Sequence, residues 1–460
     1  MERSFEPGDG FEASRSGWWV NREETMTILT RLLGSSALLA STVLATQALP
    51  AEPITILINT SPWYGGFEAL VEKYEADTGN KVSIDAVPLG GLLEKARNAV
   101  RGPAGNYDIV NLSNAWVVEF YAGNYLTPLT DIDPTFSFGD NIIDADGLLY
   151  WNKDKQWPMK HGGVPMAFSP NANTHLWYYR TDQIEKPPET WDDVLKTCRS
   201  KGGEVDYSVV VRGARGNPIR FAFSTYMLSF GGSIEKDAPN GDFTVTFNSP
   251  EVKHALELYI KLAKECGPPN PGSIDQGEMI QYLVSGKAKQ AGIVVAAQAQ
   301  MDDPEKSAVV GKISYTVTPR PADGANRDVW GSWQMGIPAN VPAERKKAAM
   351  EFIKYFQSDD AQTYYAEAGG IPVSRTVLEG PLSEQEKFRW MRPYSQASRY
   401  AKQLLQYQEG AEIEQIIGLR LNQALIGELS VDDALNTAAT EIHDVFVRTG
   451  RRTGLLPPLQ

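Results

Sequence analysis

Cysteine is scarce in this chain: Cys198 and Cys266 are the two present in 460 residues. Neither lies near the N-terminal segment where an exported protein would carry a lipid-anchoring cysteine, so no such anchor is expected. Both occupy apolar stripes at helical spacing, one running Trp191, Val194, Leu195, Cys198 and the other Tyr259, Leu262, Ala263, Cys266. That placement suits two core-facing thiols and, in an oxidising compartment, suits a disulfide equally well. Histidine is rare too. His161, His175, His254 and His443 are too scattered to suggest metal ligands, and no metal or other cofactor is expected. The chain also lacks a G-x-S-x-G elbow, an H-E-x-x-H pair, a G-x-x-x-x-G-K-S/T phosphate loop and a G-x-G-x-x-G turn after a strand, so no motif-bearing enzyme chemistry is indicated. Basic clusters are missing, and 44 Lys and Arg stand against 57 Asp and Glu for a net charge of −13. Phosphate backbones need a concentrated basic face, which excludes a nucleic-acid partner. There is no internal repeat and no low-complexity segment.

What is present begins with length. A chain of 460 residues exceeds what one hydrophobic core usually organises, so two lobes are expected. From Met26 the sequence reads MTILTRLLGSSALLASTVLATQALPAEP, with Arg31 ahead of an apolar run from Leu32 to Leu44 and small residues at Ala48 and Ala51. This is the layout of a secretory signal peptide over 26–51, too short to span a bilayer, with cleavage expected after Ala51 or Ala48. Residues 1–25 are polar and mixed in charge, and read as an upstream extension from a start codon placed too early. The mature protein is therefore expected in the periplasm.

Beyond residue 51 the pattern is that of an α/β protein. A β-branched run, Ile54 to Ile58, precedes the loop Asn59 to Gly66 and then a helix whose Phe67, Leu70, Val71 and Tyr74 share a face, with Gly79 as its C-terminal cap. Lys81 to Val87 alternates as a strand, completing a β-α-β unit. Tyr107 to Leu112 reads as a buried strand, followed by Ser113-Asn114 and a helix bearing Trp116, Val117, Phe120 and Tyr121. Both post-strand loops sit where open α/β sheets place ligands. A strand is expected at His175 to Arg180, helix starts at Thr190 and at Asn248-Ser249-Pro250-Glu251, and helical segments at Ala343–Ala368 and Arg399–Val447.

Aromatic side chains recur in turns beside small or amide residues: Trp63-Tyr64, Trp116, Phe168, and Trp330 with Trp333 in W-G-S-W. Flat aromatic surface beside amide and hydroxyl groups is what a sugar site requires. A glycosidase stays open at this stage, because its paired carboxylates are recognised by separation in space.

The segments F-E-A-L-V-E-K-Y-E-A-D-T-G-N-K-V, Y-D-I-V-N-L-S-N-A-W, G-N-Y-L-T-P-L-T-D-I, L-W-Y-Y-R-T-D, P-E-T-W-D-D-V, F-N-S-P-E-V-K-H-A-L, G-S-W-Q-M-G-I-P and A-A-M-E-F-I-K-Y-F-Q-S-D-D-A-Q follow one another in an order that resembles the family 1 extracellular solute-binding proteins. These are sugar-binding subunits of ABC importers, similar in plan to maltose-binding protein, and the resemblance covers the chain after residue 52. It implies a two-lobed, class II periplasmic-binding-protein (Venus-flytrap) fold with a hinge and an interlobe cleft. By analogy the N-lobe is 52–170 plus 327–370, and the C-lobe 171–326 plus 371–460. It further implies a monomer that captures a carbohydrate and hands it to membrane permease subunits, without catalysis. A polyol, a glycerol phosphate derivative or a sulfonated sugar are alternative solutes, and a periplasmic glycoside-acting enzyme is the alternative of another class. Implied ligand contacts are Trp63, Tyr64, Asn114, Trp116 and Trp333, with Phe168, Asn171, Tyr226 and Gln298 approaching from the crossing or the second lobe, and Trp330 and Arg375 completing the set. One departure stands out: where many relatives carry a stacking tryptophan, Gly292 to Gln300 reads G-I-V-V-A-A-Q-A-Q.

Overall fold

The computed structural model of the protein describes residues 52–199 and 205–460. The upstream extension at 1–25 and the signal peptide at 26–51 fall outside the described residues. The described chain opens with strand Ile54–Asn59, helix Tyr64–Thr78, strand Val82–Val87, helix Leu89–Arg101 and strand Ile109–Ser113. Ile54–Asn59 pairs in parallel with both of the other strands. Its side chains alternate between two cores: Ile54, Ile56 and Ile58 pack with Phe67, Leu70 and Tyr74 of the first helix, whereas Leu57 packs with Leu92 and Ala96 of the second. The sheet is thus covered on both faces, which is why the strand reads as a near-continuous apolar run. Gly79 ends the first helix at φ 75°, its N–H donating to the Glu75 carbonyl, a left-handed cap that glycine adopts without steric cost.

Two later strands complete this sheet. Trp333–Gly336 inserts antiparallel between Ile109–Ser113 and Ala167–Asn171. A second sheet has the order Ile313–Thr316, His175–Arg180, Ala288–Val294, Tyr207–Val210. Helices Asn217–Ser229, Pro250–Lys261, Gly410–Ile426 and Val431–Arg448 pack together in this second lobe, and Gln276–Val284 lies against Ala288–Val294. Ser249 Oγ accepts from Val252 N–H at 3.4 Å and Thr190 Oγ1 from Asp193 N–H at 3.2 Å, so both expected start signals cap their helices. Cys198 and Cys266 form a disulfide with Cα atoms 5.2 Å apart, joining helix Trp191–Arg199 to the turn after Pro250–Lys261.

The chain crosses between lobes three times, and the crossings are tied to one another. Asp328–Val329 pairs in parallel with Ala401–Lys402. Trp330 N–H donates to the Lys402 carbonyl at 2.9 Å, Gly331 N–H to the Asn173 carbonyl at 2.7 Å, and Thr174 Oγ1 to the Val329 carbonyl at 3.0 Å. This bonded bundle is the hinge, and the molecule is a two-lobed α/β clamp with an interlobe cleft.

Two helical expectations need correction. The segment from Arg399 is not helical until Gly410; Ala401–Lys402 is spent as a strand in the hinge, and Leu405 takes a left-handed φ of 59°. The 343–368 segment is two helices, Ala343–Phe356 and Asp359–Glu367, because Ser358 caps the second with its side chain. Among the described residues no helix is long and apolar enough to cross a membrane.

Candidate functional site

A cavity of about 520 Å³ opens between the lobes, beyond the carboxyl ends of parallel strands from both sheets. The first lobe contributes Asn59 to Trp63, Leu89, Ser113 and Asn114. The second contributes Arg212, Asn217, Phe221, Asp275 to Gly277, Ile280, Gln281, Val294 and Gln300. Asn173, Gly331 and Trp333 line it at the hinge.

Each wall follows from local structure. Trp63 sits between the first strand and first helix and is 1% exposed, its ring edge-on to Phe67 at 6.0 Å. Asn114, in the turn after Ile109–Ser113, donates through Nδ2 to the Trp330 carbonyl at 2.7 Å and to Gln403 Oε1 at 3.0 Å. It therefore lines the cleft and fixes that loop to the hinge. Trp333 begins the inserted strand and meets Trp116 edge to face, 6.2 Å between ring centres. Trp116 itself lines an adjoining compartment of about 620 Å³. Its Nε1 donates to Glu414 Oε2 at 3.3 Å, and Glu414 is held by Asn217 at 2.7 Å and by Arg220.

On the second-lobe wall, Arg212 follows strand Tyr207–Val210 and donates through Nε to Asp275 Oδ1 at 2.7 Å. Asp275 caps helix Gln276–Val284 in a reciprocal box with Glu278. Arg212 and Asp275 are the charged residues lining the 520 Å³ cavity, and they neutralise each other. Against this neutral pair, Asn59 Oδ1, Ser61 Oγ and Trp63 Nε1 are buried with no hydrogen-bond partner among the described residues. Unpaired polar atoms of this kind cost free energy unless a partner arrives.

Trp63, Asn114 and Trp333 are therefore brought together at one cavity, with Trp116 at its edge. The other expected contacts lie elsewhere. Tyr64 bonds Glu68 Oε1 through its hydroxyl at 3.1 Å, one turn along its own helix. Phe168 is fully buried against Phe352 and Phe356, beneath the sheet and away from the cleft. Asn171 pairs in register with Trp333 but is buried behind it. Tyr226 stacks on Trp191 at 4.3 Å inside the second lobe, where burial pushes its hydroxyl pKa well up. Gln298 is turned inward in the short helix Val295–Gln300, and Gln300 reaches the cavity in its place. Trp330 is buried and offers the hinge its backbone. Arg375 bonds Ser398 Oγ at 3.2 Å and its backbone N–H donates to the Asn141 carbonyl at 2.8 Å, away from the cavity lining.

Arg212, Phe221, Asp275, Gln281 and Asn173 line the cavity and were not expected from the sequence. The D-Q-G-E capping box at 275–278 and the arginine directly after the apolar Ser208 to Val211 were the available signals. Among the described residues no group of three or more His, Cys, Asp or Glu could hold a metal ion.

Comparison with known proteins agrees with this architecture. An erythritol/L-threitol-binding protein of Mycolicibacterium smegmatis is 21% identical over 343 residues, 71% of each chain. A mannitol-binding protein of Pseudomonas aeruginosa is 22% identical over 391 residues, 78% of this chain and 85% of that one. An ABC transporter solute-binding protein of Agrobacterium radiobacter K84, crystallised with ribitol, superposes with a TM-score of 0.75 at 23% identity, covering 86% of this chain and all of that one. The family model for bacterial extracellular solute-binding proteins matches residues 59–363. That match takes in strands of both sheets, two of the three hinge segments and the cavity lining, and the chain belongs to the bacterial extracellular solute-binding protein family.

Proposed function

We propose that this protein is a periplasmic receptor that captures a neutral carbohydrate or polyol in the interlobe cleft and delivers it to an ABC-importer permease. The observation that carries this reading is the lining of the 520 Å³ cavity: Trp63 and Trp333 beside amide and hydroxyl side chains, with three buried polar atoms awaiting partners. Sugars and polyols present C–H surface and rows of hydroxyls, which match that lining. Charge favours a neutral solute. One guanidinium already paired to one carboxylate leaves no cationic surplus for a phosphate or sulfonate. The polyol-binding relatives support the same class.

The proposed lobes are 52–170 plus 327–370 and 171–326 plus 371–460, and the proposed contacts are Trp63, Asn114 and Trp333. A solute touching both walls is bound more tightly when the lobes are closed, so it shifts the hinge equilibrium toward closure. The closed monomer then presents both lobes to the permease. A thermal-shift screen of monosaccharides, oligosaccharides and polyols tests the reading. A ligand of the folded state raises the melting temperature with concentration. If phosphorylated or sulfonated compounds alone produce a shift, the neutral-solute reading fails.

A further inference from the structure

We infer that Glu414 is a positioning residue for closure of the clamp: from the second lobe it clasps the Trp116 indole of the first and holds the lobes together before a solute arrives; this rests on the solute-capture reading above. Glu414 lies near the start of helix Gly410–Ile426 and is fully buried. Its Oε1 accepts from Asn217 Nδ2 at 2.7 Å and from the Arg220 guanidinium, both on helix Asn217–Ser229. Arg220 is itself buried and forms an ion pair with Glu414. Those bonds stay inside the second lobe and fix the carboxylate in place. Oε2 is turned to the first lobe, where it accepts from Trp116 Nε1 at 3.3 Å.

Trp116 and Glu414 both line the compartment of about 620 Å³ that parts Leu93 and Arg97 of the first lobe from Pro218 and Gln415 of the second, so their bond crosses the gap between the lobes. The clasp is tied to the cleft on both sides. Trp116 meets Trp333 edge to face at 6.2 Å, and Trp333 and Asn217 are walls of the 520 Å³ cavity. Glu414 is not among the residues lining that cavity, so it acts on the solute through these neighbours. Parting the lobes breaks the bond. A hydrogen bond to an ionised group is worth about tenfold in an equilibrium at the low end of its range. The low end applies because 3.3 Å is long for an N–H···O contact.

The test pairs Trp116→Phe, which removes the N–H and keeps a ring, with Glu414→Asp, which keeps a charge for Arg220 but draws the carboxylate back by one methylene. Small-angle scattering of the unliganded proteins reads closure directly. Each single variant should have a larger radius of gyration than the parent, and the double variant no larger than the singles. In calorimetric titration with ribitol, D-mannitol and maltose, each single variant should lose up to about tenfold in affinity, and the double variant no more, because both changes remove the same bond. Trp116→Phe leaves the Arg220 pair untouched, so its radius decides the question even where Glu414→Asp fails to fold. Parental radius and affinity in the single variants, or losses that simply add in the double variant, overturn the clasp and leave the solute reading standing. If none of the three solutes binds the parent, the solute reading is what falls, and the scattering comparison alone upholds or overturns the clasp.

Discussion

Gly331 is the residue at which hinge and cleft wall meet, and adding one methyl there tests how they are coupled. A Cβ at Gly331 would lie 2.3 Å from Phe221 Cζ and 2.9 Å from Phe221 Cε2, well inside contact distance. The phenyl ring cannot simply retreat, because its other side lies against the His175 imidazole at 4.4 Å between ring centres. Overpacking of this kind costs about 1–3 kcal/mol. The Gly331 N–H bond to Asn173 does not depend on the side chain, so the damage should be confined to the ring and its surroundings. If Phe221 moves toward the cavity it takes space from the solute; if the lobes rotate apart instead, the closed state bears the penalty. Either route lowers affinity, by about 5- to 150-fold if the full 1–3 kcal/mol falls on the bound state. Calorimetry of Gly331→Ala with the best solute from the screen measures that loss. The double variant Gly331→Ala with Phe221→Ala should recover part of it, giving a coupling energy for the pair. Unchanged affinity and unchanged stability in Gly331→Ala would refute the close packing of hinge and wall.

Trp333→Ala removes an indole shared by cleft and hinge, and solute affinity should fall by at least about tenfold; equal titration curves for variant and parent would show the site to be elsewhere. Reducing the Cys198–Cys266 disulfide, which closes a separation of 68 residues, should lower unfolding stability by up to about 4 kcal/mol. Urea midpoints that coincide with and without reductant would contradict this. Burial raises the carboxyl of Glu235 from 4.5 to about 7 and that of Asp144 from 3.8 to about 6. Both groups hold their proton more tightly in the folded chain, so their contribution to stability is full below the unfolded values and falls as pH rises toward 7. For Glu235 the loss is at most about 3 kcal/mol. Thermal melts across pH 4.5 to 7.5 should show this slope, and Glu235→Gln should flatten it; a slope unchanged in that variant would remove Glu235 as its source.

Much of the first lobe can be read directly from residues. The Ile54 to Ile58 run, the helical face of Phe67 to Tyr74 and the glycine at 79 each have one physical meaning, and together they place Trp63 after a strand end. Asn114 follows from the same logic of turns at strand ends, whereas Trp333 stood out as an aromatic beside small residues in W-G-S-W. Phe168 misled because an aromatic beside small or polar neighbours fits a buried stack as well as a ligand platform, and Tyr226, implied by the resemblance alone, is likewise taken by packing, the one against Phe352 and the other against Trp191. The Arg399 segment misled for a related reason, since its backbone is claimed by a strand partner at Asp328–Val329 far away in sequence. The second-lobe wall was hardest to see. Arg212 and Asp275 each look like ordinary loop or cap residues, and only the fold brings them to one ion pair facing Trp63.

The inserted strand Trp333–Gly336 has a consequence for biogenesis. Until it is synthesised, Ile109–Ser113 and Ala167–Asn171 have no common neighbour, and the first sheet carries a vacant central position. A nascent chain therefore reaches well past its midpoint before either half of the clamp can close its core. Contacts so distant in sequence slow folding and keep strand edges unsatisfied in the meantime.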